Sequence, residues 1–310
     1  MNDELTAGAV ASGKRELAGN LPSLDMLQVF YGDTNPALAR VYARLPAVPP
    51  GSKLKLSGTL SGPVCEYSRT LSATTRFMAR GTAPALLAEA VVADPCFWSP
   101  ELPMLYRVHV ELSEDGTLLA ATDRWLGIRP LAASGRRLLD CGRNLVLRGS
   151  ARPRTAAIAS LAEWHAADAA LWLDDPTDEL LAEASRLGVW LLVSASPVTL
   201  ARVARWPAVA ICILPRDAEL TDQQHYNARN VVLAQSFGPD EPILPRPWCQ
   251  LAVYDSTSED TLAERAAVSP LAVIACRHDL SVVSVAEVRG GCDRLQRSLA
   301  GRGEFAGYFV

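Results

Sequence analysis

The side chains best suited to chemistry stand at the ends of short apolar runs: Arg148, Asp174, Asp175, Ser196, Arg216, Asp217, Gln235, Asp255, Arg277, His278 and Asp279. Carboxyls brought together across a cleft could give and take protons. His278 beside Asp279 would suit acid–base work or a hard-cation site. The same set also arises by default, because loops at strand ends are polar in every barrel. Asp174 and Asp175 precede Pro176, where acidic residues also suit the start of a helix.

Other reactive types are scattered. His109, His165 and His225 have no second His or Cys at ligand spacing, so they read as structural or solvated, and neither a metal nor a cofactor is expected. Cys65, Cys96, Cys141, Cys212, Cys249, Cys276 and Cys292 include no Cys-x-x-Cys pair and read as free thiols of a reducing cytoplasm. Cys65, Cys212, Cys249 and Cys276 lie in or beside apolar runs, where cysteine acts as a small hydrophobe. Among the tryptophans, Trp172 is the one placed to stack on a sugar, although a Trp in an apolar run is more often core. GRGEFAG precedes a terminal strand and opens no helix, so it is not a phosphate loop.

The elements that must position these residues change period near residue 130. From Met26 to Leu131 the chain reads as short alternating segments. In LYRVHVEL, Leu105, Arg107, His109 and Glu111 share one face while Tyr106, Val108, Val110 and Leu112 share the other. The pattern predicts an antiparallel sandwich with a hairpin at Glu114-Asp115-Gly116. Beyond residue 136, apolar runs (NLVLRG, DAALWL, GVWLLVSAS, AVAICIL, NVVLAQS, CQLAVYD, LAVIAC, FAGYFV) alternate with helical stretches. In DPTDELLAEASRLG, Leu180, Leu181, Ala184 and Leu187 form a stripe, Thr177 or Asp178 caps and Gly188 terminates. A series of this length favours a (β/α)8 barrel over an open sheet.

At the junction the residues become specific. Trp98-Ser-Pro-Glu-x-Pro-x-Leu-Tyr106, Gly127-Ile128-Arg129 and Leu147-Arg148-Gly149 follow in order, and this segment resembles the join in glycoside hydrolase family 2, the β-galactosidase and β-glucuronidase group. The resemblance covers roughly residues 26 to 310 and is sharpest from 97 to 220. It implies an immunoglobulin-like β-sandwich followed by a reduced (β/α)8 TIM-type barrel. The organisation expected is a flexible tail over 1–25, a sandwich over 26–133 and a shortened barrel over 134–310.

The resemblance also says where glycosidase chemistry should lie, and the expected residues are missing there. Where the family's fourth strand ends in Asn-Glu, this chain has Arg216-Asp217. Where its seventh strand ends in Glu, PLAVIAC runs into Arg277, His278 and Asp279. The family's Asn-Arg-His-Glu after the first strand is Ala151-Arg152-Pro153-Arg154, and its second-strand Arg aligns with Leu171. Asp217 is the residue at the acid/base position. Arg148, Trp172, Asp174, Asp255, Arg277, His278 and Asp279 are the candidate binding residues of the rim.

A noncatalytic carbohydrate-binding or assembly module is therefore expected. The alternative is an active hydrolase with relocated carboxylates, Asp217 with Asp255 or Asp279. A third reading takes missing outer helices to leave apolar flanks for a second copy. The net charge of −4, from 30 Lys+Arg against 34 Asp+Glu, and 6% aromatic residues argue against a nucleic-acid partner. Neither a secretory leader nor a membrane-spanning run is recognised, so the expected location is the cytoplasm.

Overall fold

The computed structural model describes residues 22–151, 160–277 and 284–310. They form two compact units, one made of the chain up to Trp98 with Leu102–Ile128, the other of Ser99–Glu101 with Arg129–Val310.

The first unit is an immunoglobulin-like sandwich of two four-stranded antiparallel sheets. Its strands are β1 (Gln28–Asn35), β2 (Leu38–Leu45), β3 (Leu54–Val64), β4 (Ala73–Arg76), β5 (Met78–Gly81), β6 (Leu86–Ala93), β7 (Leu105–Glu114) and β8 (Thr117–Leu126). One sheet runs β1-β2-β6-β5 and the other β4-β3-β7-β8. Strand alternation decides the core: Val41, Ala43 and Leu45 of β2 and Val108, Val110 and Leu112 of β7 are buried, whereas Arg107, His109 and Glu111 face outward. The predicted hairpin is present, with Asp115 at φ 47° and Gly116 at φ 84°, the left-handed pair that a tight turn between twisted strands requires.

Among the described residues Glu89 of β6 is the one acidic residue buried in this unit, and it lies between Arg40, which bonds it, and Arg80, whose Nε is 2.6 Å away. The Arg40 hydrogen bond holds its carboxyl below the usual glutamate range against the opposing cost of burial. A lowered folded-state value contributes stability above the ordinary pKa of 4.5 that is lost as pH falls through the lowered value. Urea midpoints of the native chain should therefore drop on going from pH 6 to pH 3 by more than those of Glu89→Gln. Equal drops would show that Glu89 is not part of the acid response.

The second unit starts with a small antiparallel sheet, β9 (Leu131–Ser134), β10 (Arg137–Asp140) and β11 (Arg143–Asn144), and continues as a closed parallel barrel. The barrel strands are β12 (Leu147–Ala151), β13 (Ala170–Asp174), β14 (Leu191–Ser194), β15 (Val209–Leu214), β16 (Val232–Phe237), β17 (Leu251–Asp255), β18 (Ala272–Cys276) and β19 (Gly307–Phe309). Pairing of β19 with β12 closes the ring. All eight apolar runs read from the sequence are its strands. The helices are α1 (Leu161–Ala166), α2 (Asp178–Leu187), α3 (Leu200–Val203), α4 (Asp222–Asn227), α5 (Glu259–Val268) and α6 (Val285–Leu299). In α2 the Thr177 side chain accepts from Leu180 N and Gly188 ends the helix at φ 79°, as expected, while the buried stripe centres on Leu181, Ala182, Ala184 and Ser185.

The polar TDQQHYN stretch is α4, fixed by a capping box in which Thr221 and Gln224 satisfy each other's backbone N–H groups. No helix joins β16 to β17. The proline-rich loop 238–250 takes that place and is tied down by side chains: Arg265 of α5 donates to the Glu241 and Pro239 carbonyls, and Trp248 Nε1 donates to Ala218 O at 2.9 Å. Under it the outward residues Leu233, Phe237, Ala252 and Tyr254 are buried. The apolar flanks expected for a second copy are thus covered by the chain itself over these strands. Arg265→Ala should speed amide hydrogen exchange across 238–250 by about tenfold or more while leaving β12 and β13 protected. Unchanged exchange in the loop would show that Arg265 does not hold it.

Candidate functional site

In a barrel of this kind chemistry belongs at the carboxyl ends of the strands. Which residues look inward there follows from register. Arg148 of β12 bonds Gln296 of α6 at 2.6 Å and lies 3.6 Å from Asp293, so its face of the strand points to the helices. The residues paired alternately with it therefore face the axis. At the carboxyl ends these are Ala151, Asp174, Ser194, Ile213, Ser236, Asp255, Cys276 and Phe309, linked by pairings such as Asp174 with Ser194 and Asp255 with Cys276.

Arg148 is consequently not a rim residue, contrary to the sequence reading; its position in the middle of β12 turns it outward. Trp172 faces inward but is 1% exposed, with its Nε1 donating to Ser194 Oγ at 2.9 Å. It fills the barrel and offers no free ring face for a sugar, which corrects the stacking role expected of it. Asp174 ends β13 exposed, and Asp175 beside it adopts φ 43° and pairs with Arg202 at 2.5 Å. Asp217 lies past β15 in an exposed turn closed by Ala218 N to Pro215 O, and it makes no hydrogen bond or ion pair among the described residues. Arg216 turns to Glu241 at 3.5 Å. Ser196 caps its own loop through Thr199. Gln235 is fully buried on the outward face and accepts from Arg246 N. Arg277 pairs with Glu259 at the start of α5, 3.0 Å away. His278 and Asp279 lie outside the described residues.

Sequence reasoning missed Ser194 and Ser236, which reach the inner rim. Counting by two from Leu192 and Ala234 would have found them, since strand side chains alternate with that period. It also left open where the two strand-end aspartates stand. Asp174 is on the second barrel strand and Asp255 on the sixth, opposite each other in the ring. With strands about 4.8 Å apart and tilted by ~36–45°, an eight-stranded ring is roughly 15 Å across between backbones. Two aspartates reaching straight toward the axis would still leave about 8–10 Å between carboxyls.

Four of the thiols are made poor nucleophiles by their surroundings. All seven are free. Cys212 is pushed up to about 12 by burial, and burial likewise raises Cys249 and Cys292 to about 11. Exposed Cys141 is raised to about 11 by desolvation and by the neighbouring Asp140. Cys65 is half-buried, whereas Cys292, outside the apolar runs, is fully buried. Among the described residues no group of three His, Cys, Asp or Glu side chains could hold a metal, and no helix is long and apolar enough to cross a membrane.

Comparison with known proteins places these features. Residues 33–129 match the family model described as Glycosyl hydrolases family 2. No curated protein matches the chain in sequence. The fold is shared with Bacteroides uniformis β-glucuronidase 2, solved covalently bound to cyclophellitol-6-carboxylate aziridine, at TM-score 0.61 and 15% identity over 91% of this chain and 45% of that one. It is also shared with a family 2 glycosyl hydrolase from Bacteroides cellulosilyticus DSM 14838 (TM-score 0.62, 13% identity, 92% of this chain and 44% of that one). A third is Bifidobacterium dentium β-glucuronidase complexed with coumarin-3-O-glucuronide (0.63, 12%, 91% and 59%). The chain thus spans less than half the length of the first two. It is similar to the glycosyl hydrolases of family 2 on two separate grounds, the sequence of its sandwich over residues 33–129 and the fold of both its sandwich and its reduced barrel.

Proposed function

We propose that this chain is a catalytically degenerate relative of the family 2 glycosyl hydrolases, acting in the cytoplasm as a noncatalytic carbohydrate-binding or assembly module. The observation that carries the reading is the wide placement of Asp174 and Asp255 on opposite strands. Retaining glycosidases need two carboxyls about 5–5.5 Å apart, and about 8–10 Å across the ring is too wide for that. The position after the fourth strand supports it further. Asp217 stands in an exposed turn with no partner among the described residues to orient it, whereas a general acid needs a fixed geometry to within about 1 Å. At the end of the seventh strand the inward residue is the fully buried Cys276, which cannot form a glycosyl ester. Asp217, Asp255, Asp174 and Arg277 remain on the rim as groups able to hydrogen-bond a sugar without cleaving it.

Incubation with p-nitrophenyl β-glucuronide and β-galactoside should release no nitrophenol above the buffer rate. Turnover that Asp217→Ala or Asp255→Ala removes would overturn the reading in favour of relocated carboxylates.

A further inference from the structure

The outward face of the sandwich sheet β4-β3-β7-β8 carries a feature that the barrel reading does not use. Antiparallel register brings Ser61, Arg107 and Trp125 into one row, Thr59, His109 and Asp123 into the next, and Ser57, Glu111 and Ala121 into a third. The middle of this face is bonded into one network. Arg107 Nε lies 3.1 Å from Asp123 Oδ1, His109 Nδ1 3.1 Å from the same oxygen, His109 Nε2 3.3 Å from Glu111 Oε1, and Ser57 Oγ donates to Glu111 Oε2 at 3.3 Å. The members remain open to solvent, at 57% for Arg107, 36% for His109 and Asp123 and 41% for Glu111. Trp125 closes one end of the face and is half-buried.

Mutual bonding fixes the rotamers of these long side chains before any ligand arrives, so a ligand would not have to pay for ordering them. The polar groups alternate, one guanidinium and one imidazole against two carboxylates. A phosphate or nucleic acid would meet the carboxylates, and a cation would meet Arg107. A neutral polyhydroxylated ligand has no such conflict, since each of its hydroxyls can donate to a carboxylate and accept from a guanidinium or serine. The indole adds an apolar plate on which the C–H face of a pyranose can rest. The three rows span about 14 Å along the strands, the scale of a short oligosaccharide.

We propose that this sheet face is a binding surface for a neutral glycan chain, with Trp125 as its stacking platform and Arg107, His109, Glu111 and Asp123 as its hydrogen-bonding array. It rests on the reading of the chain as a carbohydrate-binding module and gives that module a site apart from the barrel rim. Calorimetric titration of the full chain with cellotetraose, xylotetraose and β-1,4-galactotetraose tests it. Binding of at least one of them is expected, weakened about tenfold or more by Trp125→Ala and by Asp123→Asn, with Trp125→Phe retaining part and with the melting curve of each variant unchanged. The absence of binding by all three, or binding weakened by Asp174→Ala but not by Trp125→Ala, overturns the surface. So does self-association that Trp125→Ala abolishes in sedimentation while glycans have no effect. Nitrophenol release in the hydrolysis assay is a separate readout, and it would overturn the noncatalytic reading without touching this surface.

Discussion

Gly149→Ala is expected to destabilise the barrel by about 3–5 kcal/mol, among the largest effects of any single methyl group in this chain. The reason is a close approach of backbones. Gly149 pairs with Ala170 on one side and Phe309 on the other, at the place where the first strand closes against both the second and the last. A Cβ there would stand 2.2 Å from Ala170 O and 2.7 Å from Phe309 Cε1. The phenyl ring could swing, but the carbonyl belongs to a buried strand and can recede only if β12 and β13 separate. Separation weakens their hydrogen bonds, and it disturbs the Gly149 carbonyl that accepts from Val310 N at 3.0 Å and from Cys292 Sγ at 3.3 Å. Gly301→Ala serves as the control. That glycine has φ 76° and open space around it, so only the left-handed backbone is strained, by about 1 kcal/mol. Guanidinium midpoints should therefore rank native, then Gly301→Ala, then Gly149→Ala at a wide interval. Equal effects at the two glycines would mean that the barrel seam yields more easily than its packing implies.

Gly149 belongs to the Leu-Arg-Gly triplet that made the family resemblance visible, and this explains what was legible. The motif residues are scaffold residues. Trp98 is 1% exposed, Tyr106 2% and Ile128 0%, and the Tyr106 hydroxyl accepts from Cys96 N. Their environments permit few alternatives, so both the sandwich and the eight strands could be read from spacing and alternation alone. Rim residues obey no such rule. Whether Arg148 turns to the mouth or to α6 depends on one residue of register, and a slip of one reverses every side chain. Trp172 was ambiguous for a related reason. An indole near a strand end can stack on a ligand or fill the barrel, and the choice is set by Ser194 on the next strand, which sequence spacing does not bring beside it. The loop 238–250 was legible only as a short connection. Its role as a helix substitute comes from Arg265 and Trp248, long side chains that reach carbonyls 24 to 30 positions away.

Arg129→Ala should cost about 3–5 kcal/mol, and the size of the loss should depend on pH. Arg129 is 2% exposed, donates to the carbonyls of Pro207, Val209 and Asn230, and lies over the Trp190 ring at 4.9 Å from its centroid. Those carbonyls sit at the amino ends of β15 and β16, where no preceding turn of helix can satisfy them. Removing the guanidinium leaves them buried and unpaired, and it also removes the stack. Lysine cannot restore the arrangement, because one ammonium cannot serve three divergent carbonyls and lie flat on an indole at once. The pH dependence comes from Asp140. Burial raises its carboxyl above the usual range of 3.8, Arg129 is the main charge opposing that rise, and Glu101 adds to it. A carboxyl whose folded-state pKa is raised favours folding most below its unfolded value, and that contribution is lost as pH climbs through the raised value. Without Arg129 the carboxyl should be raised further, so the penalty of Arg129→Ala should be smaller toward acid pH, where Asp140 takes up its proton, than at pH 7. Adding Asp140→Asn to Arg129→Ala should recover part of the stability at pH 7 and little at pH 4. A penalty that is the same at both values, with no recovery from the second substitution, would mean that Arg129 acts only through its carbonyl bonds and its stack on Trp190.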